Sequence, residues 1–300
     1  MIERANLPYK ELFVATAHDL LMTPHTGEPH ELQAPRDDGM FDESRIVRAT
    51  ERRVPRQMLT IELEGGQLRD LPLFEVSYTG LANEPDMRRL LAGPALDTLV
   101  VASRIGGRYL HRTSMDTQGA FGHPANIIRD PATGALLSAE RIGVPQPTEY
   151  RGPNDLETVN TARLTGHALR LVNYLPEDMY LVTPGSAEPL QVSNCGRVAD
   201  VNYQYEPFAQ TRQGVVIAQS TPLEVTGMPD SPGRDELRLV HTEVLFESLR
   251  LGIASPEEAS RMVVACGVHR MPSGQQGNSF SGLAYYNAQT LEEIYRHIKI

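Results

Sequence analysis

The sequence predicts an α+β chain: a mostly antiparallel, β-rich body with hairpins over about 58–228, an N-terminal helix and arm, and a helical C-terminal part. Three observations predict it. Glycine and proline turn signals recur between short apolar runs through the middle of the chain. Apolar residues recur at helical spacing near both ends. No alternation of strand and helix marks βαβ units, which disfavours a doubly wound parallel sheet.

Residues 8–22, PYKELFVATAHDLLM, read as a helix, with Leu12, Ala15 or Thr16, and Asp19 or Leu20 at helical spacing and Pro24 as the stop. Residues 23–57 then read as an extended arm, long, polar and rich in proline and charge. Its arginines (Arg36, Arg45, Arg48, Arg52, Arg53, Arg56) alternate with Asp37, Asp38, Asp42, Glu43 and Glu51, the composition of a solvated or partner-facing surface.

The body, 58–228, contains a hairpin around Gly65-Gly66 and another around Gly106-Gly107, where paired glycines supply the positive φ of a type I′ turn. In IIRDPATGALLSAERIG, Pro131 and Gly134 suit a third hairpin turn. MYLVTPGSAEPLQVS and FAQTRQGVVIAQSTPLEVTG read as two more. One helix is expected inside the body, at about 154–175. Asn154 with Glu157 makes a capping-box pattern, and Leu164, Ala168, Leu171 and Leu175 form an apolar stripe before Pro176.

After the linker-like TGMPDSPG, residues 232–300 read as helical. Leu237, Val240, Val244, Leu245 and Leu249 share a face, with Gly252 as the residue past the helix end. SPEEASRMVVACG has Ser255 as N-cap, Pro256 at the first helical position, Glu258 three residues after the cap and Gly267 beyond the end. A last helix is expected near Thr290.

Composition narrows function. The net charge of −10 and pI near 5.4 argue against nucleic-acid or anionic-membrane partners, which clustered cations would attract. Only Lys10 and Lys299 are lysines among 28 basic residues, the usage of a GC-rich genome. Two cysteines make no disulfide framework and no zinc pattern. Cys266 lies in an apolar run and is expected buried, and Cys195 sits in a turn. The opening MIERANLPYKEL lacks the pattern of a secretion signal, and no apolar run reaches membrane length. The chain is therefore expected to be soluble and cytoplasmic, or part of an intracellularly built assembly such as a virion.

Two groups of residues are candidates for chemistry. His18, His25 and His30 lie within thirteen residues, beside Asp19, Glu28 and Glu31, and imidazole with carboxylate suits zinc or iron. Pro24 and Pro29 divide the three, and His-x6-His-x4-His matches no compact ligand spacing. In RYLHRTSM, Arg108, His111 and Arg112 with nearby Asp116 and His123 would line a pocket for an anionic ligand. His241-Thr242-Glu243 resembles half of a facial triad, but on a helix positions i and i+2 diverge by about 200°. GNSFSG misses the nucleophile elbow, its final glycine falling one residue late.

The reading that follows is a non-enzymatic structural or assembly protein, self-associating or joined to other subunits, virion- or tail-like assemblies included. The alternative is a small-molecule hydrolase or transferase using the Arg108–His123 group, with metal at the N-terminal histidines. No cofactor is indicated by any motif.

Overall fold

The computed structural model describes residues 11–24, 28–82, 98–103, 106–107, 121–129, 136–145, 168–183, 188–229, 233, 235–271 and 277–286, with the isolated positions 85, 152 and 291. Strands dominate. In chain order they are β1 (Glu11–Val14), β2 (Leu20–Met22), β3 (His30–Leu32), β4 (Arg36–Asp37), β5 (Met40–Phe41), β6 (Ala49–Glu62), β7 (Leu68–Leu81), β8 (Thr98–Val101), β9 (Phe121–Arg129) and β10 (Leu136–Pro145). They continue as β11 (Leu169–Asn173), β12 (Met179–Leu181), β13 (Leu190–Val192), β14 (Asp200–Gln210), β15 (Val216–Thr226) and β16 (Glu236–Leu239). Helices α1 (Thr242–Arg250) and α2 (Pro256–Ala259) follow, then β17 (Met262–Cys266), β18 (His269–Arg270), β19 (Asn278–Phe280) and β20 (Gly282–Tyr286).

Two large assemblies of strands dominate the described residues. One is a closed six-stranded barrel in the order β11-β16-β17-β20-β7-β6. The other is an open sheet in the order β1-β8-β9-β10-β15-β14, with β2 joined to β10 and β3 to β2. A smaller sheet, β13-β12-β19-β18, stands beside the barrel.

Side-chain alternation explains why these layers stack. In β7, Leu71 and Leu73 enter the barrel core, whereas Phe74, Val76 and Tyr78 join the layer outside it. β20 does the same: Leu283 and Tyr285 point in, Ala284 and Tyr286 out. In β17, Val263 points in, and Met262, Val264 and Cys266 out. The outer layer also holds Val244, Leu245, Phe246 and Leu249 of α1 and, from the open sheet, Val100, Phe121 and Val201. The helix is thus sandwiched between barrel and sheet. The far face of the sheet has its own core, with Leu20, Met22, Leu99, Ile142 and Ile217.

Several expectations hold. The β6–β7 hairpin forms around Gly65 and Gly66, both at positive φ, although Leu63 pairs with Gln67 across a three-residue loop rather than a two-residue turn. β9–β10, β12–β13 and β14–β15 are the other expected hairpins. The capping box at Ser255 and Glu258 is present with Pro256 inside it. Gly252, at φ 68°, ends α1: its amide bonds to Leu249 O, and that of Ile253 to Ser248 O.

The α+β class does not hold; the fold is β-rich. Residues 8–22 were expected to be helical, but their described part forms β1 and β2. Leu12 and Phe13 pack toward opposite cores, and a short run apolar on both sides reads alike in helix and strand. The expected arm is built into the sheets as β3, the β4–β5 pair, a 3-10 turn at Glu43–Arg45 and the first half of β6. Among the described residues the C-terminal part is mostly strand outside α1 and α2, and β17 and β20 are buried on both faces and so lack the alternation of a half-exposed strand. Leu171 and Leu175 lie in and after β11, not on a helix, while 153–167 and the expected helix near Thr290 fall outside the described residues, apart from Leu291.

Pairing is mixed rather than mostly antiparallel. β11, β16 and β17 are mutually parallel, and β16–α1–β17 is a parallel crossover through a helix, a βαβ unit where the sequence pattern suggests none. Gly106-Gly107 is not a hairpin turn: Gly107 N bonds to Ser103 O in a helical turn, and a Cβ on Gly107 would lie 2.1 Å from the Phe121 ring.

Two substitutions test this packing by urea unfolding. Phe280→Ala empties a fully buried site in the barrel core and is expected to cost about 3–5 kcal/mol. Gly227→Ala would set a Cβ 1.8 Å from Val198 O, at φ 80°, and is expected to destabilise by more than the about 1 kcal/mol of an ordinary left-handed glycine.

Candidate functional site

The polar residues that could carry chemistry fall into three groups, two of them buried and one at the surface, each positioned by a different element. The first lies where β11 and β16 end. Asn173, 1% exposed, organises the turn after β11: its Nδ2 donates to Glu177 O (2.9 Å) and Val192 O (3.0 Å), and its Oδ1 accepts from Leu175 N (2.9 Å). That turn buries Glu177, whose Oε2 has no hydrogen-bond partner among the described residues. Burial raises the Glu177 carboxyl above its usual range, and Arg129 at the end of β9 pulls it partly back. His241 precedes α1. Its Nε2 is buried without a partner among the described residues, and burial lowers its pKa to about 4, with Arg129 pushing the same way and Asp200 opposing. This end of the barrel therefore holds a neutral imidazole and a carboxyl that keeps its proton longer than usual, each answering to Arg129.

The second group lies on the outer wall of β16. Arg238, 2% exposed, donates from Nε to Glu236 Oε1 (3.3 Å), Tyr174 OH donates to the same oxygen (3.2 Å), and Arg170 Nη2 reaches Glu236 Oε2 (3.1 Å). Burial, with Glu236 adding to it, pushes the Tyr174 phenol up to about 12. Glu236 is fully engaged, and the group ties β11 to β16. On α1, Arg250 and Glu247 form a second buried ion pair at 2.5 Å.

The third group is a groove beside β1. It encloses about 340 Å³ and is lined by Phe13 and Val14 of the strand, by Glu31 and Gln33 of the β3 region, and by Arg45 and Gln213. The Arg45 guanidinium sits 5.0 Å from the centre of the Phe13 ring. Neither Arg45 nor Glu31 has an ion pair among the described residues. At the neighbouring turn, Arg212 lies 3.8 Å from Glu11.

The residues singled out from sequence are placed as follows. His18 is exposed at the bend between β1 and β2. His30 opens β3, with Nδ1 3.4 Å from Glu28 O. Asp19, their carboxylate neighbour, is occupied: it accepts from Ala34 N (2.9 Å) and Arg36 Nη2 (2.5 Å), and the Ala34 amide first and then Arg36 hold its carboxyl below the usual range. Among the described residues no group of three metal-ligating side chains comes together. His123, 2% exposed, packs against Gly143 and lies within hydrogen-bond reach of Pro124 O (3.0 Å) and Ser220 Oγ (3.3 Å). His25, Arg108, His111, Arg112 and Asp116 lie outside the described residues. Cys266 is buried, with its thiol pushed up by burial, and Cys195 is exposed.

Sequence reasoning missed Glu177 and the groove. Glu177 follows a proline and reads as a surface turn. In sequence Phe13 falls on a helix face, and Glu31 and Arg45 on a loose arm, so nothing suggests that they share a cavity. Among the described residues no helix is long and apolar enough to cross a membrane. Compared with family models, curated proteins and solved structures, the chain matches none.

His241 generates a pH test. Its folded pKa lies below the unfolded value of 6.5, so the unfolded chain binds the proton first. Its contribution is fully present above pH 6.5 and is lost as pH falls toward 4, at about 1.4 kcal/mol per unit, on the order of 3 kcal/mol in all. Stability measured across that window should fall for the wild type and fall less for His241→Gln; equal slopes would show that the ring is solvated. For the buried ion pair, Arg250→Met is expected to cost about 3–5 kcal/mol in chemical unfolding, since it removes the cation beside the buried Glu247 carboxylate.

Proposed function

We propose that this chain is a non-enzymatic structural subunit that associates with copies of itself. The observation that supports this most is the difference between its strand edges. An open sheet edge offers unpaired backbone groups to another chain, and proteins that must avoid this blunt the edge with proline, bulges or charge. The outer strand β14 carries Pro207 and register shifts at Asn202/Tyr203 and Pro207/Ala209. The part of β6 that pairs with β7 alone carries Pro55, two register shifts and Arg52, Arg53 and Arg56. The opposite end of the open sheet, β1, carries neither proline nor a register shift, and a single charge, Glu11, at its start: Glu11-Leu12-Phe13-Val14 pairs with β8 in unbroken register and lies open on its other side among the described residues. Two long edges are defended and a short one is left available.

The interior acid and base groups fit a structural role. Glu236, Glu247 and His123 are held in bonds that join strands or helix turns, and Asp19 fixes the chain after β3. Light scattering of the purified chain from micromolar to sub-millimolar concentration is expected to give a mass above that of one chain. A single-chain mass at every concentration would overturn the proposal.

A further inference from the structure

We infer that the self-association proceeds through β1, in a closed dimer whose two β1 strands pair antiparallel across a two-fold axis. This rests on the self-association proposed above and specifies its surface. The backbone sets the register. Ala15 N donates to Val101 O (2.7 Å) in continuation of the β1–β8 ladder, so the odd-numbered amides of β1 face β8. The N–H and C=O groups of Leu12 and Val14 therefore face away from the sheet. A two-fold axis at Phe13 sets Leu12 of each copy opposite Val14 of the other, a hydrogen-bonded pair on each side of the axis, four bonds in all. The two Phe13 residues face each other as a non-hydrogen-bonded pair, in which side chains approach most closely.

Charge argues for a second copy as the occupant. The groove beside this edge holds one cation, Arg45, and one carboxylate, Glu31, and neither is paired within the described chain. A patch bearing one unpaired charge of each sign is complementary to itself. Under a two-fold operation residue i meets j and j meets i, so Arg45 of each copy serves Glu31 of the other. The arrangement leaves neither β1 edge open, which stops growth at two subunits.

Charge exchange tests it. Arg45→Glu alone and Glu31→Arg alone each place like charges together twice, and each is expected to raise the dimer dissociation constant about tenfold or more in analytical ultracentrifugation. The double variant, Arg45→Glu with Glu31→Arg, is expected to restore the wild-type constant. Glu206→Arg, on the blunted β14 edge, is expected to leave it unchanged. Both groove residues line a solvent-open cavity, and matching thermal melts of the variants establish that folding is intact. A wild-type dimer that ignores the single exchanges, or that the double variant fails to restore, overturns this interface while leaving self-association standing. A wild-type assembly larger than two also overturns it. A wild-type monomer overturns both.

Discussion

The barrel wall is buried on both sides where it faces α1, and most of the architecture follows from that. Strands β17 and β20 have apolar residues facing the barrel core and apolar residues facing the layer with α1. Each buried leucine, valine or phenylalanine contributes about 1.5–3 kcal/mol relative to exposure. A strand apolar on one face could be stable with water on the other; these could not. They need the helix and the open sheet outside them, so barrel and sheet are one structural unit. The constraint also governs the polar residues of the wall. Glu236 and Arg238 point outward from β16 and are themselves buried, so an unpaired charge there would be costly. Arg170 and Tyr174 of the adjacent strand complete the group.

Helix α1 transmits this arrangement across the layer. Two consecutive residues in its first turn reach opposite ways. Thr242 Oγ1 lies 3.1 Å from Tyr286 OH of the barrel wall, which in turn lies 3.3 Å from Tyr78 OH. Glu243 accepts from Tyr203 OH of the open sheet at 2.5 Å. The helix start is therefore fixed to both neighbours, and His241 just before it is held with its Nε2 buried. Phe246 adds an edge-on contact to Tyr286 at 4.9 Å between centroids.

Local signals were legible in the sequence, and two-sided burial was not. The capping box at Ser255, the helix end at Gly252, four of the hairpins and the burial of Cys266 each depend on a few neighbouring residues, and each is present. The strands that read as helices share a different property. MVVAC is apolar without alternation because both of its faces are covered, and spacing alone does not distinguish such a run from buried helix. The parallel pairing of β11 with β16 joins residues more than sixty positions apart and leaves no local trace. The polar sites were obscured in the same way. Asp19 looks like a metal ligand beside histidines, yet its partners Ala34 and Arg36 come from beyond two prolines. Arg45 and Glu31 acquire a common role only once β1 is a strand and the chain after it brings both to the groove beside it.

The β16–α1–β17 crossover has a consequence for how the chain reaches its native state. It closes within about thirty residues, the usual span of a βαβ unit, and brings its own hydrophobic helix. The β6–β11 pairing of the same barrel must close a loop of over a hundred residues, and chain closure grows more costly with length. The crossover thus gives up the least chain entropy for the apolar surface it buries. It is placed to order early and to serve as the template on which the ribbon of β6 and β7 later docks, so that the last strands to join the barrel are synthesised before the unit that receives them.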